Sequence, residues 1–98
     1  RLYKNDSGDT IGLTRLRHHK PGSILLLDAL AVDEAHRDQH YGGEILDDTI
    51  QTAIALGLAQ VSLTVFTERE KARRLYTSRR FLTVGYSSGA EHMMLDVA

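Results

Sequence analysis

Apolar positions along this 98-residue chain fall into two rhythms. From Ile24 to Val32 they are almost continuous, interrupted only by Asp28, and such a run bounded by a Pro-Gly turn and a polar loop reads as a buried strand. After the loop Asp33 to Tyr41 the rhythm changes. Ile45, Leu46, Ile50, Ala53 and Ile54 recur at the spacing of one helical face, and the pattern predicts a helix that opens at Gly42-Gly43 and stops near Leu56. Gly57 is placed for the left-handed residue past the last turn, with Leu58 folding back onto the helix. The run Val61 to Phe66 then reads as a second strand. Strand, crossover helix and strand make a βαβ unit, whose ligand crevice lies at the carboxyl ends of the strands.

The flanks add a hairpin at each end. Leu2 to Lys4 and Thr10 to His18 surround Asn5-Asp6-Ser7-Gly8-Asp9, a cluster of turn formers, and Pro21-Gly22-Ser23 turns the chain into the central strand. Phe81 to Ser87 and His92 to Val97 flank the Ser87-Ser88-Gly89-Ala90 turn. Between the second strand and that hairpin, Thr67-Glu68-Arg69-Glu70 has capping-box spacing and predicts a helix from about Glu68 to Ser78, with Ala72, Leu75 and Tyr76 facing inward. The whole reads as one mixed α/β domain.

Composition narrows the function classes. A formal net charge of −1 gives no electrostatic case for nucleic acid, and a hydrophobic fraction of 42% argues against disorder. No apolar run approaches the roughly 20 residues that span a bilayer, and nothing reads as a signal peptide, so no membrane partner is expected. There is no cysteine, which removes disulfides, thiolate catalysis and thiolate metal sites together and fits a reducing, cytoplasmic setting.

Several residues carry candidate chemistry. Amides from about Gln39 to Gly43, at the start of the first helix, form an anion site if the backbone comes close; the plainer alternative is a connection whose glycines only let the helix pack. Asp28 is a carboxylate within an apolar strand. Strict alternation puts it on the face of Leu30 and Val32, where burial raises its pKa and suits it to general-base work; the alternative is an edge or bulge position at which it reaches solvent. Tyr76 offers a phenol that stays protonated at neutral pH and can act as an acid, or simply packs in the core. His36 and His40, and the adjacent His18 and His19, invite a metal, but four-residue spacing presents two ligands together only on a helix and this pair precedes it, so no metal is expected. The basic positions Lys71, Arg73, Arg74, Arg79 and Arg80 read as a solvated face.

Two blocks carry a family resemblance. Val32-Asp33-Glu34-Ala35-His36-Arg37-Asp38-Gln39-His40-Tyr41-Gly42-Gly43-Glu44-Ile45-Leu46 resembles the acetyl-CoA motif of the GNAT superfamily of N-acetyltransferases, Arg/Gln-x-x-Gly-x-Gly/Ala. Arg37 and Gly42 fit, while His40 stands at the middle glycine and Asp38 at a second, less strict one. Ala72-Arg73-Arg74-Leu75-Tyr76-Thr77-Ser78-Arg79-Arg80-Phe81 resembles the family's Asn-x-x-Ala-x-x-Leu-Tyr-x-x-x-Gly-Phe block, with Arg69 for the asparagine and Arg80 for the glycine.

The resemblance implies a strongly bent mixed sheet around a central βαβ unit with two main helices, and an acyl-CoA-dependent N-acyltransferase that passes acetyl from acetyl-CoA to an amine by direct attack. It implies that Arg37, Asp38, Gln39, His40, Tyr41, Gly42 and Gly43 hold the coenzyme's diphosphate. Backbone groups of Leu30, Ala31 and Val32 would bind the pantetheine arm, Arg69 and Ala72 would contact the coenzyme, and Tyr76 would protonate the departing thiolate. One of the basic side chains would reach the coenzyme's 3′-phosphate. Family members usually carry a further strand and helices in front, which wall the acceptor site; a domain without them is expected to form a homodimer or leave that site open. The competing reading is a GNAT-like module that binds acyl-CoA, or only oligomerises, without turnover.

Overall fold

The computed structural model describes residues 1–19, 23–33 and 41–98. In chain order the elements are β1 (Leu2–Lys4), β2 (Thr10–His19), β3 (Ile24–Val32), α1 (Tyr41–Ala55), β4 (Gln60–Phe66), α2 (Glu70–Ser78), β5 (Leu82–Ser87) and β6 (Ala90–Asp96). They build a six-stranded mixed sheet in the order β1-β2-β3-β4-β6-β5. The β3–β4 pairing, joined through α1, is parallel, and the remaining pairings are antiparallel. The expected fold class holds. The Pro21-Gly22 turn lies outside the described residues.

Both helices lie on one face of the sheet. Leu25 and Leu27 of β3, Val61, Leu63 and Val65 of β4 and Met93 of β6 share a buried cluster with Leu46 and Ala53 of α1 and Tyr76 of α2, closed by Phe81. The shortest dimension, 19 Å, is that of one sheet and one helix layer. On the opposite, open face the side chains are mixed. Leu2, Leu13, Phe66 and Leu82 are exposed there beside Arg15 and Arg17.

Local chemistry explains the element ends. In the first turn, Asn5 Oδ1 accepts from the N–H groups of Ser7 and Asp9 at 3.1 and 2.9 Å, which fixes the β1–β2 connection. Helix α1 ends as its sequence predicts. Gly57 takes φ +70°, the Leu58 N–H reaches back to the Ala53 carbonyl at 3.0 Å, and Leu58 is buried. Its inward face differs by one position, because Ile54 is 47% exposed and Thr49 is fully buried, its hydroxyl donating to the Ile45 carbonyl at 3.1 Å. Gly12 sets how close α1 comes to the sheet. A Cβ there would stand 2.6 Å from the Ala31 carbonyl oxygen and 2.7 Å from Ile45 Cδ1.

The capping box is a correction. Thr67 donates its hydroxyl to the Gly89 carbonyl at 3.0 Å and its N–H to the same oxygen at 2.9 Å, so it ties the β4–α2 turn to the β5–β6 hairpin. The helix starts at Glu70, and Arg69, in the capping position, makes no side-chain cap. Among the described residues no helix is long and apolar enough to cross a membrane.

Candidate active site

A cleft opens where β3 and β4 stop pairing. Their parallel ladder runs from Ile24↔Gln60 to Leu27↔Leu63 and goes no further, although both strands continue. The cause is a bulge in β3. Against β2, Arg15 faces Ala29 and Leu16 faces Leu27, which leaves Asp28 as an extra residue. The chain bends there, and the carboxyl-terminal half of β3 stays with β2 while β4 stays with β6. Between them lies a cleft of about 340 Å³, bounded by Asp28 and Leu30 on one side, Thr64 on the other, and Arg69, Ala72 and Tyr76 of the α2 segment.

The bulge also decides which main-chain groups face this cleft. Main-chain groups of alternate residues point to opposite edges of a strand. The Ala31 carbonyl is on the β2 side, against Gly12, and the Asp33 N–H donates to Ile11 on that same side at 2.7 Å. The N–H and C=O of Leu30 therefore lie on the edge that β4 has left, and Val32 shares that edge. Of the three positions expected to bind a pantetheine arm, Ala31 is corrected, because its polar groups are committed to β2.

Asp28 takes the second of its two readings, the bulge position. Strict alternation would bury it with Leu30 and Val32; the bulge breaks the alternation, so Leu25, Leu27 and Leu30 all join the core and Asp28 turns to the open face. There Arg17 holds it in a two-pronged ion pair, Nε and Nη2 both donating, with Nη2 2.9 Å from Oδ1. The guanidinium holds the carboxyl below the usual carboxylate range, against the smaller opposing effect of desolvation. Of the two readings of this position, the bulge that reaches solvent is the one that holds, and the carboxylate there is ion-paired and weakly basic.

Tyr76 is buried, its ring edge-on to Phe81 with centroids 5.9 Å apart, and it borders the cleft from the helix side. Burial raises its phenol above the ordinary value, with the Arg69 charge pulling the other way. The group stays protonated at neutral pH and can give up a proton only to a stronger base formed beside it. Both packing and acid chemistry are open to this side chain at once.

Helix α1 begins at the carboxyl end of β3. A Cβ on Gly42 would stand 3.4 Å from Leu75 and 3.8 Å from Val32, which places the first turn between α2 and the strand end. Gly42, Gly43 and Glu44 follow Tyr41 in its first turn, whose N–H groups the helix's own ladder does not use. Arg37, Asp38, Gln39 and His40, and with them the His36/His40 pair, lie outside the described residues. His18 and His19 end β2 and are exposed.

The basic positions turn out to be largely engaged. Arg73 Nη2 lies 2.7 Å from buried Glu91, Arg79 bonds Asp47 at 3.1 Å and lies over Gly43, and Arg74 faces Glu70 at 3.8 Å. Lys71 also has a partner.

The structure adds residues that the sequence left unmarked. On the open face, Thr64 Oγ1 is 2.9 Å from His92 Nδ1, and His92 Nε2 is 2.9 Å from Ser87 Oγ. The signal was present but faint. Thr64 and His92 are polar residues in two runs read as strands, and only the β4–β6 register sets them face to face.

A βαβ unit whose two strands splay apart beyond Leu27 and Leu63 is the feature around which the comparisons with known proteins fall. The chain matches the model of the Acetyltransferase (GNAT) family over residues 2–81 and belongs to that family. Its fold is similar to that of the spermidine/spermine N-acetyltransferase SpeG from Vibrio cholerae, with a TM-score of 0.87 at 17% identity over 98% of this chain and 64% of that one. It is also similar to nourseothricin acetyltransferase, with a TM-score of 0.85 at 18% identity over 99% and 64%, and to a GNAT-family acetyltransferase from Staphylococcus aureus, with a TM-score of 0.84 at 16% identity over 99% and 66%. The chain thus spans just under two thirds of the length of these proteins. No curated protein matches it.

Proposed function

We propose that this chain is the catalytic part of an acyl-CoA-dependent N-acyltransferase that passes acetyl from acetyl-CoA to a primary amine by direct attack. The observation that carries the reading is the end of the β3–β4 ladder at Leu27↔Leu63, which frees a strand edge inside a cleft that also holds a buried phenol. A thioester substrate fits this edge because an amide-rich arm can add to it as a strand would. Leu30 orients that arm, and the leading amides of α1, with the 37–40 segment before them, receive the diphosphate. Arg69 and Ala72 border the same cleft.

In the transfer, the amine nitrogen forms a bond to the acyl carbon, the carbon–sulfur bond breaks, and the electron pair leaves on sulfur. Tyr76 donates its proton there, and the nitrogen gives up a proton as it becomes the amide, which reprotonates the phenolate. The chain has no cysteine to carry an acyl group, which agrees with attack in a ternary complex. The identity of the amine is a separate question, since the relatives named above act on different amines.

A titration with acetyl-CoA followed by thermal unfolding tests the reading. Ligand at a hundred times its dissociation constant adds about 2.7 kcal/mol of stability, and thiol release over a panel of amines follows in the native chain but falls on the order of a hundredfold in Tyr76→Phe. Binding without release would make this a coenzyme-binding module, and no shift with any acyl-CoA would end the proposal.

A further inference from the structure

Resting on the transferase reading, we propose that Thr64 and His92 form a proton relay that takes the proton from the acceptor amine on the open face of the sheet. The cleft lies between the two faces of the sheet. Its helix side is occupied by α2 with Tyr76, and both helices pack on that face. The open face is the side that no described element covers, and a bulky amine enters there. Thr64 is exposed on this face and borders both the cleft and a neighbouring hollow of about 160 Å³ that it shares with Arg17 and Asp28.

An amine arrives as an ammonium and needs a base. Among the described residues lining the cleft the carboxylate is Asp28, and Arg17 already occupies both of its oxygens. His92 is one hydrogen bond further away, through Thr64. An imidazole is the side chain best suited to exchange a proton near neutrality. The step balances as follows: an N–H bond of the ammonium breaks and a proton passes to Thr64 Oγ1, while the hydroxyl's own proton passes to His92 Nδ1. The resulting imidazolium keeps its Nε2–H on Ser87 Oγ, 2.9 Å away, and once the product has left it returns the Nδ1 proton to water through exposed Thr64, which restores the starting tautomer. Thr64 touches the substrate, and His92 is the positioning residue that holds the proton behind it.

The relay requires the tautomer with Nε2 protonated and Nδ1 free to accept. A long-range proton–nitrogen NMR spectrum of the histidine rings, taken on the full chain with and without acetyl-CoA, reads this directly. Nδ1 as acceptor is the expected result; a proton resident on Nδ1 overturns the relay whether or not the coenzyme binds. Kinetics with spermine as the probe amine supply the second arm. His92→Gln, which preserves hydrogen bonding but cannot hold the proton, lowers kcat by roughly tenfold or more while KM for acetyl-CoA stays within about twofold, and Thr64→Val does the same. Thr64→Ser restores the rate. Unchanged kcat in His92→Gln at an unchanged melting temperature assigns the trio a purely structural role and sinks the proposal. Loss of the acetyl-CoA thermal shift in the native chain would instead remove the transferase reading, so the two failures are told apart.

Discussion

At the scale of single residues, Arg80 shows how a family pattern can be kept in shape while it is lost in letters. It stands where the resemblance calls for glycine, and it takes φ +69° with its N–H on the Thr77 carbonyl, while the Phe81 N–H returns to Tyr76. The backbone thus makes the left-handed turn that ends α2 and drops Phe81 into the core. For a residue with a Cβ that conformation costs about 1–2 kcal/mol, partly offset by the smaller freedom an arginine has in the unfolded chain. Arg80→Gly is therefore expected to raise stability by about 1 kcal/mol, measured by chemical denaturation, with no change in fold; a loss of stability would show that the guanidinium has a stabilising partner. Asp28 makes the opposite point. Its residue type and strand position were evident in the sequence, but a one-residue insertion in the pairing reversed its face and gave it to Arg17.

Between elements, the joint that positions the site is α2 against the β5–β6 hairpin. Glu91 is buried on the helix face of β6, where it accepts from Thr83 at 3.1 Å and pairs with Arg73 of α2 at 2.7 Å. The partners are unequal. The Arg73 side chain keeps 37% of its surface in solvent and that of Glu91 only 4%. Removing the cation strands a buried charge, whereas neutralising the anion lets the arginine return to water. Arg73→Met is expected to cost about 3–5 kcal/mol, and Glu91→Gln about 1–2 kcal/mol. Unfolding in urea measures both, and equal losses would contradict the argument. The same joint carries Tyr76 and Ala72, so under the proposed function a loosened α2 also weakens acetyl-CoA binding.

Taken as a whole molecule, the chain has one well-covered face and one open face. Helices cover the side where Tyr76 lies; Leu2, Leu13, Phe66 and Leu82 stand exposed on the other, as the Thr64–His92 pair does in part. Apolar side chains gathered on one sheet face favour association with a second surface. The 98-residue chain is expected to self-associate through Leu2 and Leu13 of the β1–β2 pair, at the sheet edge away from Thr64, so that its sedimentation coefficient rises with concentration and the rise is lost in the Leu2→Ser, Leu13→Ser double variant. A coefficient independent of concentration would refute this.

Much of this was legible in the order of residues. Hydrophobic period located β3, α1, β4 and the two hairpins, because a core-facing strand or helix must repeat its apolar positions at its own pitch. Gly57 marked the end of α1 for the equally local reason that the turn past a helix needs a left-handed residue. The two motif blocks pointed to the family. What the sequence could not determine depended on which strands become neighbours. The bulge at Asp28 exists only relative to β2, and the cleft exists only because β4 follows β6 and not the far half of β3. Thr67 found Gly89 in place of its own helix for the same reason. His92 met Thr64 only through the β4–β6 register. Periodicity is a property of one segment, and these contacts join residues up to 36 positions apart, so the energy that selects them appears only when the sheet is assembled.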